Sequence, residues 1–259
     1  MPRFRLAIEY AGTRYSGWQI QKNARTVQGE IDRAVREVIG HGRFELCGSG
    51  RTDAGVHALG QVAHLDVATD LPPLTLQRRV NETLPPDINV LAIEPVTRRF
   101  HARHSAQARS YLFQISRRRT AFAKPFVWWV KEPLDLDAMR AAAARFTGLH
   151  DFRGFTDDEP GEKSTKVQLD RLELAEAGAL VLIRVRGSHF LWKMVRRLVG
   201  VLVEVGRGGL SATDVRAFLR TPSGTPARLT APAAGLFLER VYYDAAEPDP
   251  PLNPAVPVP

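Results

Sequence analysis

The chain has 259 residues, of which 44% are hydrophobic and 25% are charged, as in an ordinary globular protein. It has no apolar run of roughly 18 residues and no signal-peptide core near its N-terminus, so we expect no membrane span and a cytoplasmic location. The single cysteine, Cys47, excludes an internal disulfide, and the net charge of +8 favours a polyanionic partner such as nucleic acid.

The first half of the chain interleaves strands with helices. Apolar residues alternate with polar ones from Phe4 to Tyr10, which predicts a half-buried strand. A helix is predicted from about Thr26 to Gly40, and a second carries Leu76, Val80 and Leu84 and stops at Pro85. Further strands are predicted at 44–47, 63–67, 88–96 and 111–115. This order indicates a mixed α/β or α+β layer.

The second half repeats the pattern in kind. A helix lined by Leu136 and Phe146 precedes a bulged strand around 167–174, and Gly178 marks the turn of a hairpin. A long amphipathic helix is predicted at 190–205, with Arg196 near the edge of its apolar face and Arg197 further into solvent. The last elements predicted are a helix capped by Ser211 and a strand at 236–243. The proline-rich stretch that follows, 247–259, is predicted to be disordered.

One glycine-framed carboxylate, Asp53, is the strongest candidate for chemistry. It lies in the stretch GSGRTDAGVHA at 48–58, which predicts a shaped loop between strands, with Arg51 two residues before it. Glycine and lysine are missing at the positions that a dinucleotide fingerprint or a phosphate loop requires, so no nucleotide cofactor is predicted. The residues alone leave two interpretations open: a tight turn with a local salt bridge, or a reactive carboxylate on a rigid frame.

Other candidates are weaker. His101 and His104 have no second ligand pair, so no metal site is predicted. Tyr111 lies on a strand between Arg109 and the run at 117–119, and an aromatic face beside cations suits an unstacked RNA base. A buried strand tyrosine with a partnered hydroxyl explains Tyr111 equally well.

The loop at 50–58 closely resembles the signature of the tRNA pseudouridine synthase A family, and the resemblance extends from about residue 4 to 243. The other stretches that carry it are Arg25–Gly29, Gly60–His64, Phe100–Arg103, Arg109–Tyr111, Gly148–Phe152, Phe190–Arg196, Val199–Gly200 and Gly235–Leu238. Four positions depart from the usual pattern, namely Ser49, Phe113 and the pair Trp192–Lys193, and none removes a charged catalytic group.

The resemblance implies an α+β pseudouridine synthase fold with two sheet-bearing halves, 1–106 and 107–246, and flanking helices around a central basic cleft. It implies isomerisation of uridines 38, 39 and 40 in the tRNA anticodon stem-loop, without a cofactor, by a homodimer. Asp53 matches the catalytic aspartate, as either nucleophile or base.

The other site residues are carried over in the same way. Arg51 matches the arginine that fills the space of the flipped base, and Tyr111 the tyrosine that packs on the uracil. Arg196 matches the arginine that pairs with the catalytic carboxylate, and Leu236 an apolar wall of the pocket. Two other hypotheses stay open, a non-catalytic RNA-binding protein and a synthase that acts on another RNA.

Overall fold

A computed structural model describes residues 1–40, 42–158 and 164–259, which divide into two units. The first unit comprises Met1–Gln107 and Phe237–Glu247, and the second comprises Ala108–Leu236 and Pro248–Pro259. The strands are β1 (Arg3–Tyr10), β2 (Phe44–Gly48), β3 (His57–Val67), β4 (Ile88–Val96), β5 (Ala108–Ser116), β6 (Trp128–Trp129), β7 (Gly148–Asp151), β8 (Lys166–Ala177), β9 (Leu180–Gly187) and β10 (Leu236–Tyr242). The helices are α1 (Val27–Ile39), α2 (Pro73–Thr83), α3 (Leu136–Ala143), α4 (Met194–Gly206), α5 (Ala212–Arg220) and α6 (Thr225–Arg228).

The first unit is built on a sheet in which β1 lies between β3 and β4, antiparallel to both. Strand β2 pairs with β3 in antiparallel register, and β10 pairs with β3 in parallel through Phe237 and Leu238. Helix α1 begins where the Thr26 hydroxyl accepts a hydrogen bond from the Gly29 N–H, and its buried residues are Val27, Ile31, Ala34 and Val35. The sheet therefore places the β2–β3 loop, which carries Asp53, between two paired strands.

The second unit is built on an antiparallel sheet in the order β5–β9–β8–β7. Strand β6 adds to β5 in parallel, and helices α3 and α4 pack against each other. The register of β8 shifts between Leu169 and Arg171, which confirms the predicted bulge, and Gly178 turns the hairpin with a φ of 59°. Ser211 and Asp214 form the predicted capping box at the start of α5. Mixed sheets with packed helices confirm the α+β class.

The end of the chain differs from the prediction of disorder. Gln114, a fully buried residue of β5, accepts a hydrogen bond at its Oε1 from the backbone N–H of Ala255, 2.6 Å away. The carbonyl of Val258 accepts a hydrogen bond from the Ala179 N–H, and the Val258 side chain is 3% exposed. The prolines and the lack of periodicity predicted disorder, but these backbone groups pair with one buried amide and one turn, which a local pattern cannot reveal.

The two units also differ from the predicted halves, 1–106 and 107–246, because residues 237–247 belong to the first unit. The reason is the parallel pairing of β10 with β3, which joins residues that are far apart in sequence. Among the described residues, no helix combines the length and apolar character that a membrane span needs.

Candidate active site

Asp53 lies on the loop 49–56 between β2 and β3, and backbone hydrogen bonds hold this loop on both sides of it. The N–H of Trp18 donates to the carbonyl of Thr52 over 3.1 Å, and the N–H of Gly55 donates to the carbonyl of Tyr15 over 3.2 Å. Both partners belong to the segment between β1 and α1. Because the bonds flank Asp53, its backbone is fixed while its side chain is only half-buried.

Hydrogen bonds of buried side chains also hold the Asp53 loop in place. The hydroxyls of Tyr10 and Thr52 are 2.8 Å apart and share a hydrogen bond. Ser49, which is 1% exposed, donates to Gln61 Oε1 over 2.7 Å, and Gln61 Nε2 donates to the carbonyl of Gly50 over 3.2 Å. Each of these buried polar groups has a partner, which makes the network rigid as well as stable.

Two glycines allow the neighbouring segment to approach this closely. A Cβ at Gly17, whose φ is 90°, would lie 2.6 Å from the carbonyl oxygen of Thr52. A Cβ at Gly12 would lie 1.9 Å from the carbonyl oxygen of Val56. No side chain fits at either distance, so the clamp on the Asp53 loop requires glycine at both positions.

Arg51 is exposed and, within the described parts of the chain, it forms no salt bridge. A local Arg51–Asp53 ion pair therefore does not hold the loop in shape, and the first of the two interpretations left open by the sequence fails. The shape comes from the clamps described above, and the Arg51 guanidinium is accessible to an anionic ligand.

Tyr111 lies in the middle of β5, opposite Val185 of β9, and is half-buried. Its ring meets the ring of Phe190 edge-on, with the centroids 5.0 Å apart and an interplanar angle of 83°. This is a favourable aromatic geometry, and it fixes the orientation of the tyrosine ring.

Arg196 lies in the first turn of α4, and its backbone and side chain both bond to Ala231. Its Nε donates to the Ala231 carbonyl over 2.7 Å, and the Ala231 N–H donates to the Arg196 carbonyl over 3.0 Å. Gly200 permits this contact, since a Cβ there would lie 1.6 Å from the Leu229 carbonyl oxygen. The guanidinium is thereby anchored at one edge.

The prediction that Arg197 points further into solvent than Arg196 was wrong. Arg197 is 4% exposed and donates to the carboxylate of Asp157, whereas Arg196 is half-buried. The helix starts at Met194, after Lys193 in a left-handed conformation with a φ of 60°, and not at residue 190 as predicted. The buried arginine is tolerated because a carboxylate partner compensates its charge.

Leu236 follows a short 3-10 turn at Ala233–Gly235 and is 5% exposed. Of the predicted site residues, Asp53 and Arg51 belong to the first unit, and Tyr111, Arg196 and Leu236 belong to the second. The supports of the loop, above all Gln61 and Tyr10, received no role from the sequence. A buried polar residue that interrupts the apolar pattern of a strand was the available signal for Gln61.

Cys47, His64 and His101 bring one potential ligand atom each to within 4.8 Å of one another, so we tested whether they fit a metal ion. The Nδ1 atoms of His64 and His101 accept hydrogen bonds from the N–H groups of Ala102 and Arg103, at 3.2 and 3.1 Å. A neutral ring that accepts at Nδ1 carries its proton on Nε2, which leaves no lone pair there for a metal. Metal-binding histidines instead donate from their second nitrogen, so this cluster does not suit a metal.

Burial lowers the pKa of both His64 and His101, and neighbouring cations lower it further. Both rings are therefore kept neutral near pH 7, in agreement with their role as acceptors. The three groups are best described as a packed, uncharged part of the first unit.

Comparison with known proteins places the chain in a family. A family profile described as tRNA pseudouridine synthase matches residues 6–105 and 142–244. The chain is 44% identical over 247 residues to a tRNA pseudouridine synthase A of Rhodopseudomonas palustris (strain BisA53), covering 94% of this chain and all of that protein. It is 42% identical over 248 residues to a tRNA pseudouridine synthase A of Brucella ovis, covering 94% of this chain and 98% of that protein.

A solved structure entitled a Cbf5–Nop10–Gar1 complex contains a chain that matches with 12% identity and a TM-score of 0.35, covering 77% of this chain and 45% of that one. A TM-score of 0.35 does not establish a shared fold. The family profile and the two relatives each match most of the chain, and they establish its family. The chain belongs to the tRNA pseudouridine synthase A family.

Proposed function

We propose that the chain converts uridines 38, 39 and 40 of the tRNA anticodon stem-loop to pseudouridine, and that Asp53 is the catalytic group. Membership in the family makes the chain an isomerase that acts on uridine in tRNA. The observation that carries the finer proposal is a half-buried carboxylate on a loop clamped on both sides of it. Such a frame supports accurate positioning of one reactive group.

The reaction requires only a reactive carboxylate and a site that binds the uridine. The N1–C1′ bond of uridine breaks, the uracil turns, and a bond forms between C5 and C1′. The hydrogen on C5 is released to solvent and N1 gains a proton, so atoms and electrons balance without a redox partner or group donor. A carboxylate such as that of Asp53 can serve as the nucleophile or as the base in this reaction.

We further propose that Arg51, Tyr111, Arg196 and Leu236 bind the substrate. A uridine inside a stem must leave its stack before C1′ and C5 can be reached, at a cost of a few kcal/mol. The exposed guanidinium of Arg51 suits the space that the base vacates, and the oriented ring of Tyr111 suits packing on the uracil. A homodimer in the cytoplasm stays a prediction that rests on the resemblance.

Mapping of pseudouridine in modified tRNA tests the proposal. Transcripts with uridine at position 38, 39 or 40 alone, and a transcript with cytidine at all three, would be incubated with the protein. Modified residues would then be located by carbodiimide treatment and primer extension. We expect pseudouridine at each of the three positions that holds uridine and none in the cytidine control. Modification elsewhere in the tRNA, or only in another RNA, would contradict the assignment of the site.

A further inference from the structure

The loop between β5 and β6 is strongly basic. No aspartate or glutamate occurs between Ala108 and Lys131, and the segment 117–124 alone carries three arginines and a lysine. The family profile matches 6–105 and 142–244, so this segment lies outside it. We call residues 117–127 the basic loop.

The basic loop exposes a phenylalanine, Phe122, to solvent. Phe122 is 98% exposed, although burial of such a side chain is worth about 1.5–3 kcal/mol. The loop around it is ordered: Ser116 Oγ donates to the Arg118 carbonyl over 2.7 Å, and the Phe126 N–H donates to the Ala123 carbonyl over 2.8 Å. Ala123 is 3% exposed and anchors the loop beside Phe122. The fold thus holds this aromatic ring outward.

Among the described residues, some of the basic side chains near Phe122 in the sequence have a partner and others have none. Arg117 pairs with Glu176 at 2.7 Å, and Arg118 Nε donates to the Pro259 carbonyl over 2.9 Å. The side chains of Arg119 and Lys124 are exposed, and among the described residues they form neither a salt bridge nor a hydrogen bond. The basic loop therefore presents an aromatic ring between two uncompensated positive charges.

We infer that the basic loop is a second RNA-binding surface, which binds tRNA phosphates with Arg119 and Lys124 and stacks Phe122 on an unpaired base. Cations that track phosphates together with aromatic rings on which bases stack are the chemistry of single-stranded RNA recognition. An anionic membrane fits less well, since one ring and two charges on a loop make a weak anchor. The inference rests on the proposed function, because it extends the tRNA contact beyond the modified base.

The position of the loop separates it from the base that is modified. Tyr111 and Ser116 lie on the same strand, and five residues of strand span about 17 Å. The basic loop begins beyond Ser116, so it lies roughly 20 Å from the ring proposed to pack on the uracil. A base bound at Tyr111 cannot reach the loop, so we assign the loop to nucleotides other than the one that is modified.

The test uses the full-length chain with two variants, Phe122→Ala and the double variant Arg119→Ala/Lys124→Ala. A matched control, Arg216→Ala/Arg220→Ala, removes two exposed arginines of α5 that form no salt bridge among the described residues. KM and kcat would be measured with full-length tRNA. Filter binding of the same tRNA at several salt concentrations would measure affinity without turnover.

Phe122→Ala should raise KM for full-length tRNA by about 5- to 150-fold, the equivalent of one base stack, with kcat unchanged. The double variant should lower the salt dependence of log K by about 1.4–1.8. The control should behave as wild type.

Unchanged tRNA affinity in both variants, or an equal loss in the control, would overturn the inference. So would a loss of binding to phosphatidylserine vesicles, or a change of oligomeric state, while tRNA affinity stays the same. If the chain binds tRNA through this loop but modifies none of positions 38–40, the proposed function fails and the loop contact stands.

Discussion

Gly12→Ala is predicted to displace the loop that carries Asp53 without touching Asp53 itself. The added methyl carbon would lie 1.9 Å from the Val56 carbonyl oxygen and 2.6 Å from its carbonyl carbon. Ordinary contacts begin near 3.5 Å, so one of the two backbone segments must move by about 1.6 Å. Both partners are backbone, and no rotamer change can relieve the clash.

The displacement should reach Asp53, because the Val56 N–H donates to the Asp53 carbonyl over 3.2 Å. We expect a loss of about 2–3 kcal/mol in the free energy of unfolding, which lowers Tm by about 5–10 °C. A shift of about 1 Å at a reacting group costs about 100-fold in kcat.

Thermal unfolding and single-turnover kinetics on tRNA measure the two effects. Gly224→Ala is the control, because among the described residues no atom lies within 4 Å of its added Cβ and its φ is not left-handed. This control should keep both Tm and kcat. If Gly12→Ala matches the control in both measurements, the clamp does not hold the loop, and the reasoning from close approach is refuted.

Three further predictions follow from single side chains. The hydrogen bond from Arg153 lowers the pKa of Asp151 to about 2, so this carboxylate stabilises the fold above about pH 4 and the effect is lost as pH falls toward 2. Asp151→Asn should therefore lower Tm at pH 7 by an amount that shrinks in acid, and a pH-independent difference would contradict this. The side chain of Asp249 is 5% exposed and pairs with Arg186 at 2.8 Å, so Asp249→Asn should cost about 3 kcal/mol in urea unfolding; an unchanged midpoint would mean that the end of the chain is not docked. Tyr111→Ala should raise KM for tRNA about tenfold while Tyr111→Phe keeps it, and equal KM values for the two variants would exclude packing of the ring on the base.

Local patterns predicted much of the fold because the relevant signals are short in range. The alternation from Phe4 to Tyr10, the start of a helix near Thr26 and the turn at Gly178 each depend on neighbours within a few residues. The loop that carries Asp53 was predicted in the same way, from its glycines and the strands on either side.

The parts that were missed depend on contacts between distant residues. Tyr10 and Thr52 are 42 residues apart, and Gln114 is 141 residues from Ala255, so no window of sequence contains either pair. The burial of Arg197 follows from Asp157, 40 residues away, and from a left-handed residue that delays the start of α4. Periodicity assigns a side chain to a helix face, but only tertiary structure provides the partner that permits a buried charge.

The central claim is that Asp53 carries the isomerisation, and tritium release from tRNA labelled at uridine C5 tests it most directly. Formation of the C5–C1′ bond displaces the C5 hydrogen, so release reports the chemical step itself. We predict that the wild-type chain releases tritium without added metal or nucleotide, and that Asp53→Asn binds tRNA in a filter assay but releases none. Tritium release by Asp53→Asn at the wild-type rate would contradict the account.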